Sequence, residues 1–375
     1  MYYWIINVSL VFVLCVCITE MLIPNILLVS YQKRLFDIPN ERKVHHEVVS
    51  RLGGIAFVPT IIFSMALIFG INLIFKHQDF LLEFENNMSA LCFWFCSSMS
   101  LYFVGAVDDL IGVRFITKFL VQIVCGILFV AGGLCINNLY GIMGIYDMSA
   151  WIAYPLTVLV VMLIVNAINL IDGIDGLASG LSGVALLFYG LIFMFIHQYV
   201  YAMIAFATLG VLIPFFYYNV FGGPKQTRKI FMGDVGSLTI GITLSLLSII
   251  LFNSANNTVF HPNSIVLAFA PLLIPCLDVM RVFIHRIRMK KSPFISDMNH
   301  IHHKLLALGM SKHKVMMTIV TASIIFTVCN VVLSCCVDVN ILLISDILIY
   351  TIGNILLTNL INKRKKVLND PKIRR

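Results

Sequence analysis

The chain has 375 residues, 60% of them hydrophobic and only 12% charged, with a mean hydropathy of +0.96 and a formal net charge of +8. A water-soluble domain carries about 25% charged residues, so this composition excludes a soluble enzyme and makes the bilayer the solvent. In such a chain the basic excess is no signal for nucleic acid, because the placement of the charges matters more than their sum.

Apolar stretches follow one another with short polar breaks, each close to the roughly 20 residues that a helix needs to cross the hydrocarbon core. They predict eleven spans, at about 3–29, 53–75, 89–107, 116–136, 150–169, 177–197, 199–218, 237–253, 264–284, 314–336 and 340–361. The first is too long for a signal-peptide core and lacks its flanking pattern, so it reads as a retained span. The fold class expected is an all-α polytopic transmembrane bundle forming a single integral membrane domain over 1–375. No internal repeat and no soluble domain interrupts it.

Loops must alternate between the two faces, and the Lys and Arg residues test that alternation. All but Lys76 of the 26 fall in breaks on one face: residues 30–52, 108–118, 219–237, 281–314 and the tail. By the positive-inside rule this face is cytoplasmic, with the N-terminus outside and the C-terminus inside. The tail residues Lys363 to Lys366 need no role beyond that topology signal. The ten cysteines lie mostly within apolar runs and read as small hydrophobes.

The acidic residues of this same face gather at span ends, where carboxylates are costly and point to function. VGAVDDLIGVRFITK closes the third span with Asp108 and Asp109, adjacent charges that repel unless a cation or shared proton relieves them. NAINLIDGIDGLASG places Asn166, Asn169, Asp172 and Asp175 three residues apart, on nearby faces of a helical turn, with glycines that admit a ligand close to the backbone. FMGDVGSLTIG sets Asp234 between glycines just before a span, where free backbone N–H groups suit phosphate. Asp278 in PCLDVMR is spaced to pair with Arg281.

DMNHIHHKL brings His300, His302 and His303 into a basic loop with Arg281, Arg286 and Arg288. The spacing does not match zinc patterns, and the histidines suit hydrogen bonds to phosphates and sugar hydroxyls. Taken together, carboxylates with an amide oxygen form the hard donor set that Mg²⁺ prefers, and nearby cations can hold phosphate charge. Phosphoryl transfer rests on positioning and charge neutralisation, which this inventory supplies without a Ser, Cys or His nucleophile.

With PNERKVHHEVVSRLGG, GAVDDLIG, NAINLIDGIDGLASG, FMGDVGS and NHIHH in this order, the chain resembles the polyprenyl-phosphate N-acetylhexosamine-1-phosphate transferases. The resemblance covers about Phe36 to His303. It implies a multi-pass enzyme of the bacterial inner membrane with a cytoplasmic site, acting early in cell-surface polysaccharide synthesis. The reaction implied moves a sugar-1-phosphate from a UDP-N-acetylhexosamine to undecaprenyl phosphate, with release of UMP and dependence on Mg²⁺, for which Mn²⁺ is an expected substitute.

Carried over residue by residue, the resemblance makes Asp108, Asp109 and Asp234 catalytic and assigns the metal to Asp234 and Asn169. It puts phosphate on Lys118, uracil on Asp175 and support on Asp172, and gives diphosphate and sugar to Arg281 and the His300, His302, His303 loop. Asn166, with Arg42 and Lys43 of the first motif, completes the substrate-binding set. NHIHH favours N-acetylglucosamine, whereas the peptidoglycan phospho-N-acetylmuramoyl-pentapeptide branch, the alternative, shows three adjacent histidines. The chain departs from the family at Val48-Val49-Ser50, where a proline often precedes the arginine. The apolar spans near the tail could support a homodimer. A secondary transporter is the competing class, and its coupling carboxylates would have to be Glu20 and Asp346, which read instead as buried polar contacts between helices.

Overall fold

One helix, Gly233–Ser254, is buried along its whole length, and the rest of the bundle is arranged around it. Among its Leu and Ile residues it carries three glycines, four serines and two threonines, because without a hydrophobic drive between helices in lipid it is close packing that holds them. Thr239, Thr243, Ser245 and Ser254 return their hydroxyls to carbonyls one turn back, at 2.7 to 2.9 Å, so polar side chains lie in the core with partners.

The computed structural model describes residues 2–35, 49–223, 228–254, 264–292 and 299–368. In chain order the helices are α1 (Tyr2–Lys33), α2 (Phe57–Ile74), α3 (Gln78–Ile111), α4 (Phe115–Ala131), α5 (Ala150–Ile171), α6 (Leu177–Phe195), α7 (Tyr199–Phe221) and α8 (Gly233–Ser254). They continue as α9 (Ser264–Phe269), α10 (Leu273–Arg288), α11 (Ile301–Ala307), α12 (Lys312–Leu333) and α13 (Val339–Leu368). Among the described residues, ten helical runs are long and apolar enough to cross a membrane. The eleventh expected span is α4, which is apolar but only 17 residues long. In hydrocarbon every backbone group must find a partner within the protein, and helices meet that demand internally.

The sequence-based boundaries need four corrections. Helix α3 has 34 residues and takes up most of the loop expected at 76–88. The break at 137–149 holds a two-stranded antiparallel hairpin, β1 (Asn138–Ile142) with β2 (Ile145–Asp147), so the fold is not purely helical. The ninth span is broken by a 3₁₀ turn at Ala270–Leu272, where Pro271 cannot continue α9. The run of four polar residues from Asn166 to Asp175 does not stay in helical register, because α5 ends at Ile171 and Asp172 to Gly176 turn away before α6. Of the two deep carboxylates, Asp346 is the buried helix contact expected, accepting from Asn330 Nδ2 at 3.1 Å. Glu20 is not; it lies exposed and accepts from the Tyr218 hydroxyl at 2.9 Å.

Close approach of α3 to α8 fixes the site described below. A side chain built on Gly105 would place its Cβ 2.6 Å from the Cα of Val235, against backbone that cannot step aside. Gly105→Val is therefore expected to wedge the two helices apart, with an overpacking cost of about 1–3 kcal/mol or more. Thermal unfolding in detergent should show a clear drop for this variant. Gly70→Ala, where nothing lies within 4 Å, should leave the transition unchanged.

Candidate active site at the ends of four helices

The first four N–H groups of a helix lack intrahelical partners, and α8 begins inside the protein, where the deficit must be met. Asp109, in the last turn of α3, meets two of the four: one carboxylate oxygen accepts from the Asp234 N–H at 2.9 Å and the other from the Val235 N–H at 3.0 Å. Its neighbour Asp108 accepts from the Val113 N–H at 2.6 Å and from the Lys118 ammonium at 2.8 Å. Lys118 stands in the first turn of α4 and its ammonium also pairs with Asp234, so it bridges two carboxylates. Asn169, near the end of α5, donates to Asp234 at 3.2 Å and to Ser237 at 2.9 Å. Four helices thus bring Asp108, Asp109, Lys118, Asn169 and Asp234 to one place.

Oxygens of Asp108, Asp109 and Asp234 lie within 4.8 Å of one another. Three carboxylates face the Lys118 ammonium, with Arg51 a further cation acting on Asp109, and the surplus of negative charge is one that a divalent cation would offset. The donors are hard oxygens, which suits Mg²⁺. Asp109 spends both oxygens on backbone N–H groups, so the fit leaves Asp108 and Asp234, with the Asn169 amide oxygen, as the residues that would hold it.

Asp172 caps the end of α5 just outside the span, and its carboxyl is pushed up to about 7 by burial and by the charges of Asp234, Asp175 and Asp109. Asp175 is drawn off to an ion pair with Lys229 at 2.7 Å, with its other oxygen buried and unmatched. Asn166 lies a turn deeper than Asn169 and is engaged by Gln122, at 2.6 Å through its Nδ2. It supports the wall of the site and does not point its amide at the carboxylates. Arg42 and Lys43 lie outside the described residues. The end of the same loop is ordered by backbone pairing: Phe231 N–H donates to Ser50 O at 2.7 Å and Gly53 N–H to Phe231 O at 3.0 Å. Val49 and Ser50, at the departure from the family pattern, are buried in that pairing.

The basic residues form a second cluster. Asp278, fully buried on α10, pairs with Arg281 at 2.8 Å as its spacing predicted, and with His300 Nδ1 at 2.7 Å. His302 stacks beside His300 and His303 and is buried with neither ring nitrogen bonded. Burial and then the neighbouring histidines lower its pKa to about 3, so it works as a neutral hydrogen-bonding ring and carries no charge for phosphate. The two clusters meet at Gly173, where an added Cβ would lie 2.6 Å from His302 Nε2. The glycine there lets the histidine ring seat on the loop after α5 in its present position. Sequence reading passed over Ser237 and Gln122. The first stands within the GDVGS motif it identified; the second carries no local signal, being an interior glutamine of an apolar helix.

A family model for glycosyl transferase family 4 matches residues 91–252, which hold Asp108, Asp109, Lys118, Asn169 and Asp234. The undecaprenyl-phosphate alpha-N-acetylglucosaminyl 1-phosphate transferase of Salmonella typhi is 32% identical over 293 residues, 78% of this chain and 74% of that protein. The chain belongs to this family. The transferase of the same name from Yersinia pestis is 30% identical over 300 residues, covering 80% of this chain and 76% of its own. That of Escherichia coli K12 is 29% identical over 291 residues, covering 77% and 74%. The aspartate pair, the Asn169 motif and the GD motif all lie within the matched residues and converge here, while NHIHH, beyond them, occupies the adjoining cluster.

Two measurements probe the electrostatics. Lys118→Met leaves Asp108 and Asp234 facing each other without their shared cation, so its unfolding temperature at low divalent cation should fall. Added Mg²⁺ should raise that temperature more in the variant than in the parent. Asp172 is neutral below about pH 7 and charged above it, so the cluster loses negative charge as pH falls. The Mg²⁺ concentration giving half-maximal thermal stabilisation should therefore rise severalfold from pH 8 to pH 6, and Asp172→Asn should reduce that rise.

Proposed function

We propose that the chain transfers N-acetylglucosamine-1-phosphate from UDP-N-acetylglucosamine to undecaprenyl phosphate, releasing UMP and leaving an undecaprenyl-diphosphate-linked sugar. The observation that carries this is the meeting of Asp108, Lys118, Asn169 and Asp234 at the ends of four helices. The names of the relatives support both the acceptor and the sugar. The basic residues, which gather at this end of the bundle, support a cytoplasmic site in the bacterial inner membrane under the positive-inside rule. A soluble nucleotide then reaches the site from the cytoplasm, and a lipid phosphate reaches it along the membrane.

A lipid phosphate oxygen attacks the sugar-bearing phosphorus of the nucleotide sugar. A new P–O bond forms to the lipid as the P–O bond to UMP breaks. The work of the protein is to place these groups and neutralise their charge. Lys118 already holds two carboxylates and can turn to an incoming phosphate, which frees Asp108 to take the proton that a monoanionic lipid phosphate carries. Asp109 keeps α8 in position and, with it, Asp234. Mg²⁺, held by Asp234 and Asn169, would supply charge neutralisation at the UDP diphosphate. Arg281 and the histidine loop grip the diphosphate and the sugar, with His302 as a neutral partner.

Purified protein given Mg²⁺, undecaprenyl phosphate and a panel of UDP-sugars should release UMP with UDP-N-acetylglucosamine and stop when EDTA is added. Failure to release UMP from every UDP-N-acetylhexosamine in the panel would overturn the reading. Asp234→Asn should lower kcat by about 100-fold or more while the protein stays folded in detergent, a loss of the size seen when a transition-state electrostatic contact is removed.

A further inference from the structure

Helix α13 is the last of the chain, and most of its length faces outward, with Ile341, Ile344, Leu348, Ile352 and Ile355 exposed. One stripe is different. Tyr350, Asn354 and Thr358 recur at every fourth residue, which puts them on one face of the helix, and all three bond to groups outside α13. The Tyr350 hydroxyl donates to Asp278 Oδ1 at 2.9 Å. Lys304, on α11 directly after the histidines, donates to Asn354 Oδ1 at 3.3 Å and to Thr358 Oγ1 at 3.0 Å. Further along the helix, the Arg364 guanidinium lies against Gly309 in the turn that follows α11.

Asp278 is the point on which these bonds converge. It is fully buried and accepts from Arg281, from the Ile301 N–H at 3.1 Å and from Tyr350 through one oxygen, while His300 lies on the other. A buried carboxylate with several donors fixes all of them, and removal of one donor lets the rest rearrange. Arg281 also donates to the Asn299 carbonyl at 2.5 Å, which closes the loop on itself.

We propose that Tyr350 is a positioning residue for the nucleotide-sugar site. Acting through Asp278, it sets the orientation of His300 and Arg281, and α13 clamps the histidine loop against the carboxylate cluster. This rests on the reading that the histidine loop binds the donor. The Tyr350 hydroxyl is spent on Asp278 and not on Asp108, Asp109 or Asp234, so its effect falls on the nucleotide sugar and leaves the lipid phosphate aside.

Tyr350→Phe keeps the buried ring and removes only the hydroxyl. KM for UDP-N-acetylglucosamine should rise by about tenfold, the scale of one hydrogen bond to a charged group. KM for undecaprenyl phosphate should stay at the parent value, and the unfolding temperature should fall by a few degrees at most, the cost of one buried hydrogen bond. Lys304→Met, which cuts the second tie, should shift the same KM in the same direction. An unchanged donor KM in both variants would overturn the proposal, as would a fall in kcat alone, the mark of a structural loss of active protein. His300→Ala separates the two levels. If it leaves donor KM unchanged, the loop is not a donor site and the underlying reading fails. If it raises donor KM while Tyr350→Phe does not, the loop reading stands and the role of Tyr350 falls.

Discussion

A helix that starts among the other helices of a membrane protein brings unpaired N–H groups and a partial positive charge into a place where neighbouring side chains must serve them. At α8 two of those groups are met by the two oxygens of Asp109, borrowed from the far end of α3. Because the acceptor and the donors belong to different helices, the bond does more than cap. It locks the end of α3 to the start of α8, so that Asp108 on one and Asp234 on the other are held across the Lys118 ammonium. The close contact of Gly105 with Val235, one turn back on α3, lets the two backbones come near enough for that bond. The reactive cluster is thus a by-product of how a buried helix begins.

Charge is divided between two neighbouring centres with opposite character. Around Asp234 the carboxylates outnumber the cations, which prepares the place for positive charge. Around Asp278 a single carboxylate organises Arg281 and His300, with His302 and His303 beside them, which prepares the place for anionic and hydroxylic groups. The Asp172–Gly176 turn is the seam between the two, with Asp172 facing the first and Gly173 under His302 of the second. The donor proposed above, a nucleotide sugar, has both kinds of group, a diphosphate and a sugar with hydroxyls, and the paired centres suit that polarity.

Much of the site was legible because its residues are costly where they stand. An aspartate at a span end announces itself against an apolar background, so Asp108, Asp109 and Asp234 could be read from hydropathy and composition, and Asn169 from its motif. The helical register of Asn166 to Asp175 was misread because period alone does not say where a helix stops; Gly173 and Gly176 end it. Pairings across the fold left no trace in the linear pattern. Nothing local ties Asp278 to Tyr350, 72 positions later, or Asn166 to Gln122, 44 positions earlier. The length of α3 was underestimated because its first turns carry Asp79, Glu83 and Glu85, which lower hydropathy without breaking the helix. Glu83 is accommodated there because it accepts from the Val200 N–H at the start of α7.

The complete enclosure of α8 changes what each position in the chain can tolerate. Along the outward face of α13 the neighbour is fluid lipid, and any large apolar side chain satisfies it. Along α8 the neighbours are other helices packed as densely as a crystal, and the limit at each position is volume. A serine there can give way to alanine more readily than to leucine, although leucine is the more lipophilic. Substitution patterns in the two helices therefore follow different rules, with hydropathy governing the rim of the bundle and size governing its axis.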